Sequence, residues 1–158
     1  MPVVASSRPR RLILVVRRIE MMDTIAQYLR DAPAGRADYV DYLERVLDSV
    51  VEPESEEAFF AAAFPFFERN DGADLGSPGP LVHFLERFYP RYVPHLCASV
   101  ERKPTAYTLW MLNRILNSPL TKPDRERLMA VLNAAATNPA AGQVAREQAL
   151  DFVHHQSR

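Results

Sequence analysis

The chain has 158 residues, 19 basic and 20 acidic side chains, a formal charge of −1 and 47% hydrophobic residues. That length favours one domain, and the ordinary mix of apolar and charged residues excludes wholesale disorder. The single cysteine, Cys97, excludes an intramolecular disulfide and a cysteine-based zinc cluster and fits a reducing compartment.

Residues 1–20 hold five arginines (Arg8, Arg10, Arg11, Arg17, Arg18) and one acid, Glu20. The apolar run Leu12–Val16 is closed by two arginines, too short for a secretory signal core of about 7–15 residues or a bilayer span of about 20. Three readings stay open for this basic arm: a loose arm or short edge strand, an upstream start with Met21 or Met22 as the natural beginning, or a nucleic-acid or targeting arm. Residues 21–158 read as one all-α domain.

Met22–Arg30 is a short helix candidate, broken by the turn Asp31-Ala-Pro-Ala-Gly35. Tyr39, Leu43, Val46, Leu47 and Val50 repeat at helical spacing and predict a helix over 36–51, stopped by Pro53. Ser55 followed by Glu56 and Glu57 marks the next start, with a hydroxyl to cap and acids at the positive end of the dipole. The segment 58–67 is apolar on two faces and is expected to kink or end near Pro65. Asn70–Pro80 is the longest loop. Beyond it, segments 81–89, 92–103, 105–117, 122–138 and 140–155 follow one another closely, with Pro94 and Pro123 in first turns and Pro104 and Pro139 just before starts. Connections this short turn successive helices into antiparallel neighbours. The fold class is therefore all-α, with stacked antiparallel helix pairs as a short α-solenoid, or an irregular helical bundle, since no repeat of fixed period is visible.

The near-zero charge conceals segregation. Residues 38–74 hold eleven acids and only Arg45 and Arg69, whereas 75–158 hold ten basic residues and six acids. His83, His95, His154 and His155 form no metal-ligand spacing, and the loop Asn70–Asp74 lacks the glutamate that closes a calcium loop. Gly76-Ser-Pro-Gly79 lacks the nucleophile-elbow pattern, and neither a phosphate-cradling loop nor a dinucleotide fingerprint occurs. The basic residues of the C-terminal part are interleaved with Glu86, Glu101 and Glu126, which disfavours nucleic-acid binding.

Two stripes remain. Asp41, Glu44, Asp48 and Glu52 line one face of the helix over 36–51, extended by Asp38, with Arg45 the only basic residue from 38 to 68. An ordinary solvated face is one reading. The other is a surface for a basic partner, since like charges at these spacings destabilise a helix unless something relieves them. Glu56 and Glu57, with Phe60 and Phe64 beside them, are secondary candidates for the same surface. On the helix over 105–117, Leu109, Leu112, Ile115 and Leu116 form the core face, while Trp110, Asn113, Arg114 and Asn117 form a second stripe. That stripe reads either as amides and a guanidinium capping carbonyls of neighbouring helices, or as a binding surface built on Trp and Arg.

The stretches Leu81–Tyr89 (LVHFLERFY), Ser99–Thr105 (SVERKPT) and Thr108–Asn117 (TLWMLNRILN) resemble helical, HEAT-like immunity proteins of bacterial polymorphic-toxin and contact-dependent inhibition systems, over about residues 78–155. The resemblance implies a cytoplasmic, non-enzymatic protein without cofactor or metal that neutralises a cognate toxin domain. The acidic segment adds that the toxin is basic, as nuclease-type toxins commonly are. No membrane partner is expected. The alternative is a helical scaffold or adaptor without a toxin partner, using the groove near Trp110 for a peptide.

Overall fold

The computed structural model describes residues 25–33, 35–48 and 55–158; the basic arm at 1–20, Val50, Glu52 and the side chain of Val46 lie outside them. All regular structure among the described residues is helical. The elements are α1 (25–31), α2 (Tyr39–Asp48), α3 (Glu56–Arg69), α4 (Pro80–Glu86), α5 (Val93–Arg102), α6 (Ala106–Leu116), α7 (Lys122–Ala136) and α8 (Gln143–Gln156).

Starts follow local chemistry. Pro80, Pro94 and Pro123 occupy the first turns of α4, α5 and α7, where a missing N–H costs nothing. Gly79 precedes α4 with φ +91, and a Cβ there would fall 1.9 Å from the Leu75 carbonyl oxygen, so only glycine fits. Thr105 and Thr108, both fully buried, form a reciprocal capping box on α6: the Thr105 hydroxyl accepts from the Thr108 N–H (3.3 Å), and the Thr105 N–H donates to the Thr108 hydroxyl (3.1 Å). Thr105→Ala should therefore lower unfolding stability by about 1–2 kcal/mol, measurable as a shift of the urea midpoint at unchanged slope.

Several local details differ from expectation. Ser55 precedes α3 as predicted but makes no side-chain cap bond. Helix α3 runs through Pro65 to Arg69. The carbonyl four residues back that loses its donor belongs to Ala61, an exposed residue on the open side of the helix, while Phe64, Phe66 and Phe67 stay buried around the proline. Helix α8 starts at Gln143 rather than near Ala140. Asn138 holds 138–141 in a turn first, its side chain accepting from the Ala140 N–H (2.9 Å) and its carbonyl from the Ala141 N–H (3.1 Å).

The helices stack in two rows, α1, α3, α5, α7 and α2, α4, α6, α8. Packing pairs α2 with α4, α3 with α5, α5 with α7 and α6 with α8, besides the hairpin neighbours α5–α6 and α7–α8. Hydrogen bonds fix the directions. At the end of α3, Arg69 donates to the carbonyls of Leu29 and Arg30 at the end of α1. After α5, the Lys103 ammonium donates to the Glu68 carbonyl near the end of α3 (2.8 Å). After α7, the Asn138 amide donates to the Glu101 carbonyl near the end of α5 (2.8 Å). Carboxy-terminal ends thus lie together along the first row, and these helices run parallel. The contacts span 39–40, 35 and 37 residues, the length of one helical pair in an α-solenoid. In the second row, the Gln156 amide donates to Asn113 and Asn117, bringing the ends of α6 and α8 together. Arg125, in the first turn of α7, donates to the Leu116 and Gln156 carbonyls (2.8 and 3.2 Å), so α7 runs antiparallel to both.

One hydrophobic core runs through the stack. Its densest part is α3, where Phe59, Phe60, Phe64, Phe66 and Phe67 are all buried. The loop after α3 is strapped across it. Asn70 is buried, donates to the Phe66 carbonyl and accepts from the Gly35 N–H (both 2.9 Å). The Tyr107 hydroxyl donates to the Ala73 carbonyl and accepts from the Leu75 N–H.

Candidate functional site

Helix α2 is fixed by its apolar side. Tyr39, Leu43 and Leu47 are buried, the Tyr39 ring meets Phe66 edge-on at 5.1 Å, and its hydroxyl donates to the Pro33 carbonyl. The opposite face carries Asp41, Glu44 and Asp48, all exposed, at i, i+3 and i+7. None of the three has an ion-pair partner among the described residues. Arg45, one residue from Glu44, donates instead to the Asp41 carbonyl (3.2 Å). Asp38 differs: Arg36 contacts it through two nitrogens (2.9 and 2.6 Å) and holds its carboxyl below the usual range. Its charge is thus already partnered within the chain.

Beside this face lies an aromatic pair that the sequence did not reveal. Tyr28 of α1 and Tyr42 of α2 stack with centroids 4.2 Å apart and planes 25° apart, both half-buried. Burial, and next the neighbouring Tyr39, push the Tyr28 phenol up to about 12. Only the contact of α1 with α2 creates the pair, and no local spacing signals it.

The secondary candidates separate. Phe60 and Phe64 are 2% and 1% exposed, so they are core residues and not part of a surface. Phe60 packs edge-on against Phe88, and Phe64 lies over His95 and near Tyr92. Their helix is apolar on two faces because neighbours cover both. Glu56 and Glu57 find partners in a later part of the chain, the Arg91 guanidinium at 3.1 Å and the His95 ring at 3.0 Å, and Glu68 is met by Arg102 at 2.8 Å and the Ser99 hydroxyl at 2.6 Å. The acidic run is relieved through space over α3 and left open over α2.

On α6 the core face is as expected, with Leu109, Leu112, Ile115 and Leu116 buried. Asn113 and Asn117 accept from Gln156 (2.8 and 2.7 Å), and Gln156 accepts from Arg125 (2.9 Å). These amides tie α6 to α8, while the carbonyl capping falls to Arg125. Arg114 bonds Glu86 (3.0 Å) and lies 4.8 Å over the Trp110 ring, which is half-buried.

Burial raises the Tyr92 and Tyr107 phenols and the Cys97 thiol as well. A group whose folded value is raised loses its stabilising contribution as pH climbs from the unfolded value towards the folded one. The urea midpoint should therefore hold to about pH 9 and fall between about pH 9 and 12, and a flat profile over that range would contradict this account.

Among the described residues no group of three or more His, Cys, Asp or Glu is arranged to hold a metal ion, and no helix is long and apolar enough to cross a membrane. Comparison of the chain with models of protein families, with curated proteins and with solved structures finds no match. The likeness to helical immunity proteins therefore rests on the residue stretches quoted above.

Proposed function

We propose that this protein binds a basic protein partner through the exposed face of α2, and that the partner is a toxin domain which it neutralises by covering the active or substrate-binding surface. The observation that supports the reading is the row Asp41, Glu44 and Asp48, without ion pairs among the described residues on a helix whose other side is anchored in the core. Carboxylates left open in this way attract and orient a cationic surface, raising association rates more than they stabilise the fold. The half-buried rings of Tyr28 and Tyr42, on the flank of α2 beyond Arg45, supply a flat contact for an arginine or an apolar side chain. The immunity part of the proposal adds the resemblance of residues 78–155.

Isolation of the tagged protein from its native host tests the proposal. The expected result is a stoichiometric basic protein whose toxicity disappears when both are expressed together. Recovery of the protein alone, or with a partner that harms no cell, would favour a scaffold or adaptor.

A further inference from the structure

The first helical pair is fastened to the stack differently from the last. The pair α7–α8 is tied down at both ends of its helices. At one end Asn138 reaches the Glu101 carbonyl of α5, and at the other Arg125 reaches the Leu116 carbonyl of α6 and Gln156 reaches Asn113. For residues 25–48, the hydrogen bonds to the rest of the chain, among the described residues, are made by two consecutive residues, Arg69 and Asn70. Arg69 donates to the Leu29 and Arg30 carbonyls, and Asn70 accepts from the Gly35 N–H. These bonds meet one corner of the pair, the end of α1 and the turn before α2. The ring contact of Tyr39 with Phe66 adjoins the same corner, since Tyr39 is the first residue of α2.

The two helices are also coupled to each other. Tyr28 stacks on Tyr42 and meets Tyr39 edge-on at 6.2 Å, and the Tyr39 hydroxyl donates to the Pro33 carbonyl. A terminal pair in a helical stack has a neighbour on one side only, so its stability is its own plus a single interface. Segments placed in that way open at lower free energy than the middle of the stack. Asn70 is suited to govern such an opening. It is 2% exposed, and its side chain works in two directions: the amide donates to the Phe66 carbonyl of α3 and the oxygen accepts from Gly35. Without that side chain the Gly35 N–H loses its acceptor, whereas the Phe66 carbonyl keeps the Asn70 N–H at 3.1 Å. Its loss therefore loosens the corner more than it loosens α3.

We propose that α1 and α2 open and close on the rest of the stack as one body, latched at a single corner by Arg69 and Asn70. The carboxylates of α2 are then held in docking position only while the latch is shut, so a partner seated on them and the latch favour the same state. That consequence rests on the function proposed above; the opening itself does not.

Native-state hydrogen exchange of the full chain, read amide by amide and with no partner present, tests this. The amides of Leu29 in α1 and of Leu43 and Leu47 in α2 should exchange through one common opening, at least about 10-fold more frequent than that of Leu112 and Ile115 in α6. Asn70→Ala should speed exchange at the first three by one shared factor of about 10 and leave α6 unchanged. Arg69 is exposed, so Arg69→Met removes the donor without opening the core. It should act in the same direction by about 3-fold, and it decides the matter should Asn70→Ala not fold. The proposal is overturned by α1 and α2 as well protected as α6 in the wild type, or by factors that differ between α1 and α2. It is equally overturned by variants that speed α6 as much as α2, or that speed neither.

Discussion

Replacing both Asp41 and Asp48 by lysine should slow capture of the basic partner by about 10- to 100-fold at low ionic strength, while the melting temperature stays nearly unchanged. Both side chains are exposed and neither has an ion-pair partner among the described residues, so reversal breaks no bond within the fold. Surface changes of this kind stay within about 0.5 kcal/mol of stability. Asp38→Lys serves as the contrast: it removes the pair with Arg36 and leaves two adjacent cations, so its effect on association is mixed with a change in the loop before α2. Stopped-flow association at several salt concentrations is the measurement. The wild-type rate should fall steeply as salt rises and converge on that of the double variant, because screening removes what the substitution removes. Equal rates for both proteins at low salt would reject the acidic face as the docking surface.

Phe66→Ala should cost about 3–5 kcal/mol, a large part of the roughly 5–15 kcal/mol that holds a domain of this size. Phe66 is fully buried and meets Tyr39 edge-on, so its loss opens a cavity and withdraws the surface on which α2 rests. Two consequences can be separated. Urea unfolding should show the loss of global stability, and a double-mutant cycle with Tyr39→Leu should show a coupling of about 0.5–1.5 kcal/mol beyond the separate effects. Partner binding should weaken as well, through disorder at α2, and recover in part at low temperature. A cost below about 1 kcal/mol would mean that α2 is not anchored through this contact. The same reasoning governs Phe60 and Phe64: replacing either removes core, so any loss of binding reports unfolding rather than a missing contact.

The sequence disclosed what is local. The apolar period of Tyr39, Leu43 and Leu47 placed α2 and separated its two faces; prolines in or just before first turns located later starts; Asn70–Pro80 emerged as the long loop. It misjudged what depends on distance along the chain. Pro65 reads as a kink or an end of the segment, and that the helix does not end there fits the exposure of Ala61, visible only once packing shows which side of α3 is open. Glu56 and Glu57 looked unrelieved because Arg91 and His95 arrive some 35 residues later. The repeat was hidden for a related reason. Arg69, Lys103 and Asn138 do the same job in successive units, yet they are three chemically different residues. The three share only a side-chain N–H donor, so no common residue type marks the period.

Those three donors also reach main-chain oxygens rather than particular side chains, and every residue offers such an oxygen whatever its side chain. Spacing between units is therefore written in the backbone and insulated from the outward residues of the same helices. The unpaired carboxylates of α2 can change without breaking any of these ties, so this face can be altered while the stack behind it is kept.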